Sequence, residues 1–352
     1  MPQLITAEIT KEQFKEQFGF DEPSGYFDNP LYKDRFRLVI NRFGRCYWLL
    51  SVDNLQGPRF SGNNTYYQGN NARLIRTIYP NARRIIDVGG NVGNNTIAYS
   101  EWAQYVESFE PTPTTLLLLK ANLQIAQMSN LQGIYWEGTD TTGELKRMPN
   151  ADAGWFKWKG HPQPMNLVAQ TTIHEVAATN RNTGTIQIQD HIEHGGHNFT
   201  IYDPKQVKKP KDVVEVDCRT IDSYAFQDVD AIKIDVEGSE LFVIEGAQDT
   251  INRCRPAVQV EIVPKQCKQY GYDPQALYDF FKPLDYVCVS AVRRPANADQ
   301  RGLFFGKDIG MQHQQMAKYM DRLFVPREVH ERTDYGAMMQ ADNQFEAMFD
   351  FG

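Results

Sequence analysis

The sequence predicts an α/β protein built on a doubly wound, mainly parallel sheet. Three observations carry this. Short apolar runs close in turn residues, as R-R-I-I-D-V-G-G does over Arg83–Gly90. Segments of helical spacing separate these runs. The first run passes through a glycine turn straight into such a segment, N-N-T-I-A-Y-S. Strands alternating with helices imply right-handed βαβ units and an open sheet with helices on both faces.

Residues 1–70 precede this rhythm and form an N-terminal extension. Within it, Lys11–Phe20 has amphipathic helical spacing, Phe36–Val52 is strand-like, and residues 53–71 are a polar, turn-rich loop. Asn71–Ile78 reads as a short helix feeding the first buried strand, Arg84–Val88. Y-V-E-S-F-E is a second strand, stopped by Pro111, and a helix follows with Thr112 as cap candidate and Pro113 in its first turn. Residues 131–170 break the rhythm as an insertion containing Trp155, Phe156 and Trp158, a stacking platform or a hydrophobic plug. T-I-H-E-V-A-A, T-G-T-I-Q-I-Q-D and K-D-V-V-E-V-D-C then read as strands. D-A-I-K-I-D-V-E-G is another, followed by a helix over Ser239–Arg253, the strand P-A-V-Q-V-E-I, a helix over Pro274–Phe281 and the strand Y-V-C-V-S-A. The main domain is therefore placed at 71–307, and residues 308–352 form a Met- and Gln-rich tail with a helix expected over Met311–Leu323. That tail reads as an oligomer contact or a lid, since methionine adapts to irregular surfaces.

The 352 residues carry a formal charge of -7, which disfavours a broad phosphate-backbone surface. The first residues lack a basic segment followed by an apolar run, and no stretch approaches the roughly 18 apolar residues of a membrane span. Five scattered cysteines with no C-x-x-C pair suit a reducing compartment. The cytoplasm, with no membrane partner, is the expectation.

Ligands of open α/β sheets sit beyond the carboxyl ends of the strands, where the strand order reverses. Asp87-Val88-Gly89-Gly90-Asn91-Val92-Gly93 falls at such a turn. Gly89 and Gly90 would let the chain turn and a ligand approach, and Gly93 would allow a helix to pack closely. The spacing is not G-x-G-x-x-G, so a pyrophosphate is poorly provided for. Asp87 would suit the ammonium of a zwitterionic amino-acid group, directly or through water. Glu110 ends the next strand, about 20 residues on, where a carboxylate accepts from ribose hydroxyls. Taken singly, Asp87 could be a turn residue and Glu110 a solvated strand end; in this order they favour a nucleoside-containing ligand.

Four strings, D-V-G-G-N-V-G-N-N-T (87–96), F-E-P-T-P (109–113), I-K-I-D-V-E-G-S-E (232–240) and E-G-A (245–247), resemble the FkbM family of S-adenosylmethionine-dependent methyltransferases. The likeness runs over about residues 70–306, with Gly90 standing where the family usually has Ala. It implies a seven-stranded Rossmann-like class I fold, S-adenosylmethionine as cofactor, held by Asp87, Gly89, Gly90, Asn91, Gly93, Glu110 and Pro111, and O-methylation of carbohydrate or small-molecule hydroxyls.

An alcohol is a poor nucleophile near neutral pH, so a carboxylate or histidine is expected beside it. Strand alternation puts Lys233, Asp235 and Glu237 on one face if the strand runs that far. Asp235 is the candidate base or acceptor-orienting group, with Glu237 and Glu240 behind it and Lys233 as its ion-pair partner or a strand-edge cation. Alternatively, Asp235 and Glu237 form a turn capping the next helix. Glu261 would wall the acceptor pocket or be a surface carboxylate. The loop containing His191, Glu193, His194, His197 and Asn198 could contribute His194, His197 and Asn198 to acceptor binding. Its histidines could also ligate zinc, but glycines interrupt any helix there and methyl transfer needs no metal, so no metal is assigned. Two other functions compete. A ribose 2′-O-methyltransferase would want a second lysine, which is not evident. A non-catalytic scaffold would have little reason to keep Asp87, Gly89, Glu110 and Asp235.

Overall fold

A computed structural model describes residues 36–40, 46–50, 69–127, 167–189, 213–289, 306–312 and 320–335. Strands β1 (Phe36–Ile40) and β2 (Cys46–Leu50) form an antiparallel pair, so the strand-like stretch of the extension is two strands rather than one. Helix α1 (Gly69–Ile78) leads into β3 (Arg84–Val88), α2 (Asn94–Ser100), β4 (Tyr105–Phe109) and α3 (Pro113–Gln127). Then come β5 (Gln170–His174), β6 (Ala177–Ala178), β7 (Thr185–Gln189), β8 (Val213–Arg219) and β9 (Val229–Ile234). The chain continues through α4 (Glu240–Glu245), α5 (Gln248–Cys254), β10 (Ala257–Ile262), α6 (Pro264–Gln269), α7 (Gln275–Phe281) and β11 (Tyr286–Val289). β12 (Met320–Pro326) and α8 (Arg327–Arg332) complete the described chain.

The main sheet has seven strands in the order β11-β12-β10-β9-β3-β4-β5. Five run parallel from β10 to β5, and β12 is antiparallel to both of its neighbours. A small sheet, β6-β8-β7, stands apart. The run T-I-H-E-V-A-A is thus divided between the two sheets.

Both faces of the main sheet are buried, which is why its strands read as continuous apolar runs. On one face Ile85, Ala231, Ala257 and Leu323 pack with Leu74, Ile97, Ala98 and Leu118 from α1, α2 and α3. On the other Ile86, Ile232, Val258 and Phe324 pack with Val243, Ile251, Leu277 and Phe281 from α4, α5 and α7. Each fully buried aliphatic side chain here is worth about 1.5–3 kcal/mol.

Two expectations are corrected. The helix over Ser239–Arg253 is two helices, because Gly246 lies against the backbone of Thr179, where an added Cβ would sit 2.0 Å from the carbonyl oxygen. The second helix starts afresh on Asp222, whose carboxylate accepts from the Asp249 and Thr250 amides at 3.0 and 2.8 Å. In the tail, Met320–Leu323 is strand rather than helix. Leu323 and Val325 face one layer and Phe324 the other, a period of two inside the main sheet. The tail therefore supplies an interior strand of the domain. Residues 313–319 of the expected helix, with residues 131–166, lie outside the described residues.

Candidate active site

The strand order reverses beside β3: β4 lies to one side and β9, the later strand, to the other. The carboxyl ends of β3, β4, β9 and β10 open on this switch point, and every described candidate residue sits there.

The turn after β3 is held from within. The amides of Gly89 and Gly90 both donate to the Phe109 carbonyl, at 2.9 and 3.0 Å. The Asn91 amide donates to Glu110 Oε2 at 2.7 Å, that of Val92 to Asn91 Oδ1 at 2.8 Å, and that of Gly93 to the Gly90 carbonyl at 2.8 Å. No amide from Gly89 to Gly93 is left for a phosphate, so the turn does suit a ligand without one. The glycines serve protein contacts rather than an opening for the ligand. Gly89 has φ +80°, and a Cβ there would lie 1.9 Å from the Asp235 carbonyl oxygen. A Cβ on Gly90 would meet Ser108 Oγ at 2.3 Å, and one on Gly93 would meet Leu119 at 2.8 Å. The expected ligand approach over Gly90 is therefore corrected: its free side points at β4 and α3.

Glu110 follows β4 and is 3% exposed. Its Oε2 accepts from the Asn91 amide and its Oε1 from the Thr112 amide at 2.8 Å, which fixes the carboxylate. Burial raises its pKa, while the Thr112 amide, the Thr115 hydroxyl and the Asn91 amide pull it down. Pro111 is half-buried beside it.

Asp87 is fully buried under the turn. Its Oδ2 accepts from Thr96 Oγ1 at 2.6 Å, and Lys233 Nζ lies 3.4 Å from Oδ1. Burial raises its pKa against these partners. The enclosed carboxylate meets Thr96 and Lys233 under the turn. Lys233, 2% exposed, ties the parts together: Nζ donates to the Gly89 carbonyl at 3.0 Å and sits 3.5 Å from Asp235 Oδ2. Burial works against its ammonium, but Asp235 and Asp87 outweigh it and hold the pKa above the ordinary lysine value.

β9 ends at Ile234, so alternation does not carry Glu237 to the face of Asp235. The turn does it instead. Glu237 adopts φ +56°, and Glu240 Oε1 accepts the Val236 and Gly238 amides at 3.2 and 2.9 Å, shaping the loop. Burial lifts the Glu240 pKa to about 7 against those amides. Glu237 accepts from Gln266 Nε2. Glu261, on β10, completes a cluster in which Asp235, Glu237 and Glu261 each bring a carboxylate oxygen within 4.8 Å of the others. Asp235 above all, and then burial, pushes the Glu261 pKa well above the carboxylate range; burial and then Asp235 do the same for Glu237. Glu261 is thus a half-buried member of this cluster.

His191, His194, His197 and Asn198 lie outside the described residues. Gln259, unremarked in the sequence, stands opposite Lys233 on the side of the sheet that Glu261 faces, and Tyr99 packs in the layer on that side. Gln259 could have been noticed, because Gln259 and Glu261 put a polar residue at alternate positions of an otherwise apolar run. Nothing in the sequence marks Tyr99.

The methyltransferase FkbM domain model matches residues 87–288, from Asp87 to Cys288. The chain belongs to the FkbM methyltransferase family. Its sheet, with the one reversed strand, is that of a class I methyltransferase fold. Among solved structures, this FkbM chain is similar to the methyltransferase FkbM from Methylobacillus flagellatus, with 16% identity, coverage of 69% of this chain and 43% of that one, and a TM-score of 0.36. The chain thus spans less than half of that protein's length. It is also similar to a TehB-like SAM-dependent methyltransferase from Corynebacterium glutamicum, with 11% identity, coverage of 76% and 92%, and a TM-score of 0.36. A third is M. jannaschii TYW2 in complex with AdoMet, with 9% identity, coverage of 83% and 85%, and a TM-score of 0.34. No curated protein sequence matches the chain. Among the described residues, no helix is long and apolar enough to cross a membrane.

Proposed function

We propose that this FkbM chain uses S-adenosylmethionine to methylate a hydroxyl oxygen of a carbohydrate or small-molecule acceptor. One observation carries the reading: the Asp235 carbonyl lies against Gly89, so the cofactor turn and the carboxylate cluster form a single site.

The donor set fits the cofactor. Glu110, held by the Asn91 and Thr112 amides at the end of β4, would accept from a ribose diol, with Pro111 and Asn91 beside it. The turn's spent amides match a ligand lacking phosphate. Asp87 acts from below, by holding Thr96 and Lys233. Bound there, S-adenosylmethionine supplies a methyl already activated on a sulfonium, so forming O–CH3 is balanced by breaking S–CH3, whose electron pair stays on sulfur as a neutral thioether.

The protein must align the acceptor and take its proton. Asp235 is placed to orient the hydroxyl, with Lys233 fixing its rotamer. Glu237 and Glu261, made more basic by burial and by Asp235, share the cluster that accepts the proton and passes it to solvent.

Calorimetric titration of S-adenosylmethionine into the purified chain tests the cofactor, with Glu110→Ala expected to bind much more weakly. Absence of heat from the wild type would sink the proposal. Labelled-methyl transfer to glycan, small-molecule, RNA and protein fractions then reads the acceptor class, and label appearing only in RNA or protein would refute the acceptor assigned.

A further inference from the structure

We propose that Asp235, Glu237 and Glu261 hold a hard divalent cation of the magnesium, manganese or calcium class at the acceptor end of the site. The sequence reading assigned no metal and looked for one only in the histidine loop. The carboxylates that meet come from elements far apart in the chain, the turn after β9 and the end of β10.

The distances fit. The three oxygens lie within 4.8 Å of one another, and ligands of one calcium, each about 2.3–2.6 Å from it, are at most about 5 Å apart. An all-oxygen set selects this class over the thiolate- and imidazole-seeking metals. The charges fit as well. Asp87, Asp235, Glu237 and Glu261 crowd one region, and Lys233 is the ammonium that reaches it, already shared between Asp87 and Asp235. Carboxylates so close need a counter-charge or protons.

Two further side chains point to an occupant. Gln259 is 3% exposed, and its Oε1 is buried without a hydrogen-bond partner. It stands opposite Lys233 in the β9–β10 register and two residues before Glu261, so it faces the same side of the sheet. Tyr99, on α2, is fully buried with its hydroxyl unpartnered. Its ring packs in the same layer as Ala231 and Ala257, the side of the sheet that Lys233 and Gln259 face. An unfilled acceptor and an unfilled donor beside an excess of carboxylates are what the water shell of a cation would satisfy. The cation's remaining positions would face the acceptor hydroxyl. That use rests on the methyl-transfer reading above, whereas the binding of the cation does not.

The test uses the full-length chain, stripped with chelator and titrated with Mn2+, free Mn2+ being followed by electron paramagnetic resonance. One Mn2+ per chain is expected, displaced by excess Mg2+ or Ca2+, with affinity lowered about tenfold or more in Asp235→Asn and in Glu261→Gln. Circular dichroism shows that each variant is folded, and Asp222→Ala serves as a control expected to bind as the wild type does. No Mn2+ retained by the wild type at about 1 mM would overturn the proposal, with protons as the counter-charge. Unchanged affinity in both folded variants would overturn it too. S-adenosylmethionine titration of the same samples separates the two ideas: cofactor bound without Mn2+ refutes only the cation, and Mn2+ bound without cofactor upholds it while refuting the methyl-transfer reading.

Discussion

Gly89→Ala is expected to damage stability and cofactor binding together, for a reason that can be isolated. At φ +80° an L side chain costs about 1–2 kcal/mol. The new Cβ would also lie 1.9 Å from the Asp235 carbonyl oxygen, where ordinary contact starts at 3.4 Å, so turn and strand end must part by more than an ångström. The hydrogen bonds nearest that movement are Gly89 and Gly90 to Phe109, and the Asp235 amide to the Val88 carbonyl at 3.1 Å. At about 1 kcal/mol each, weakening two of them brings the total to about 3–4 kcal/mol. In a domain of this size that lowers Tm by about 10 °C. Gly271→Ala supplies the comparison, since Gly271 has φ +82° with nothing within 4 Å of an added Cβ. It should show the conformational cost alone. Urea unfolding followed by circular dichroism, with S-adenosylmethionine calorimetry on each protein, measures both effects. If Gly89→Ala is no more destabilising than Gly271→Ala, or binds the cofactor as the wild type does, the proposed coupling of turn to strand is wrong.

Other changes have distinct signatures. Lys233→Met should cost about 3–5 kcal/mol in urea unfolding, because it leaves the fully buried Asp87 and the half-buried Asp235 without their shared cation, and adding Asp87→Asn should restore part of it. The Glu240 carboxyl is raised from 4.5 to about 7 by burial, so its stabilising contribution is complete at acid pH and lost as pH rises through about 7. That shift corresponds to about 3 kcal/mol. Tm should therefore fall between about pH 5 and pH 8 in the wild type and less steeply in Glu240→Gln; parallel profiles would refute the assignment. Asp222→Ala removes the cap of α5 and should cost about 1 kcal/mol, with S-adenosylmethionine affinity unchanged.

Much of the fold was legible because it is local. β3, β4, β9 and β10 are doubly buried strands, and burial on both faces leaves an apolar run that survives in one dimension. The Asp87–Gly93 turn and the place of Glu110 after β4 were legible for the same reason: a parallel strand must end in a turn. What failed depends on neighbours distant in sequence. Met320–Leu323 looked helical because its pairing with β10 and β11 cannot be seen from its own residues. The direction of Gly90 is set by Ser108 and Leu119. The meeting of Glu261 with Asp235 is a matter of register, since Ile234 stands opposite Val260 and the next residues follow. Glu237 reaches them through a left-handed turn that Glu240 shapes, which alternation cannot foresee.

The place of β12 bears on how the molecule is made. β12, the last of the described strands, is not added at an edge; it enters between β11 and β10, both synthesised earlier. Until it arrives those two strands present open hydrogen-bonding edges, the kind that invite pairing with other chains. The sheet can close only as a late, long-range event, which is slower than local folding. A chain stopped at residue 307, where composition alone would draw the boundary, would keep the residues of the Asp87–Gly93 turn and the acidic cluster yet lack the strand that joins β11 to the rest of its sheet.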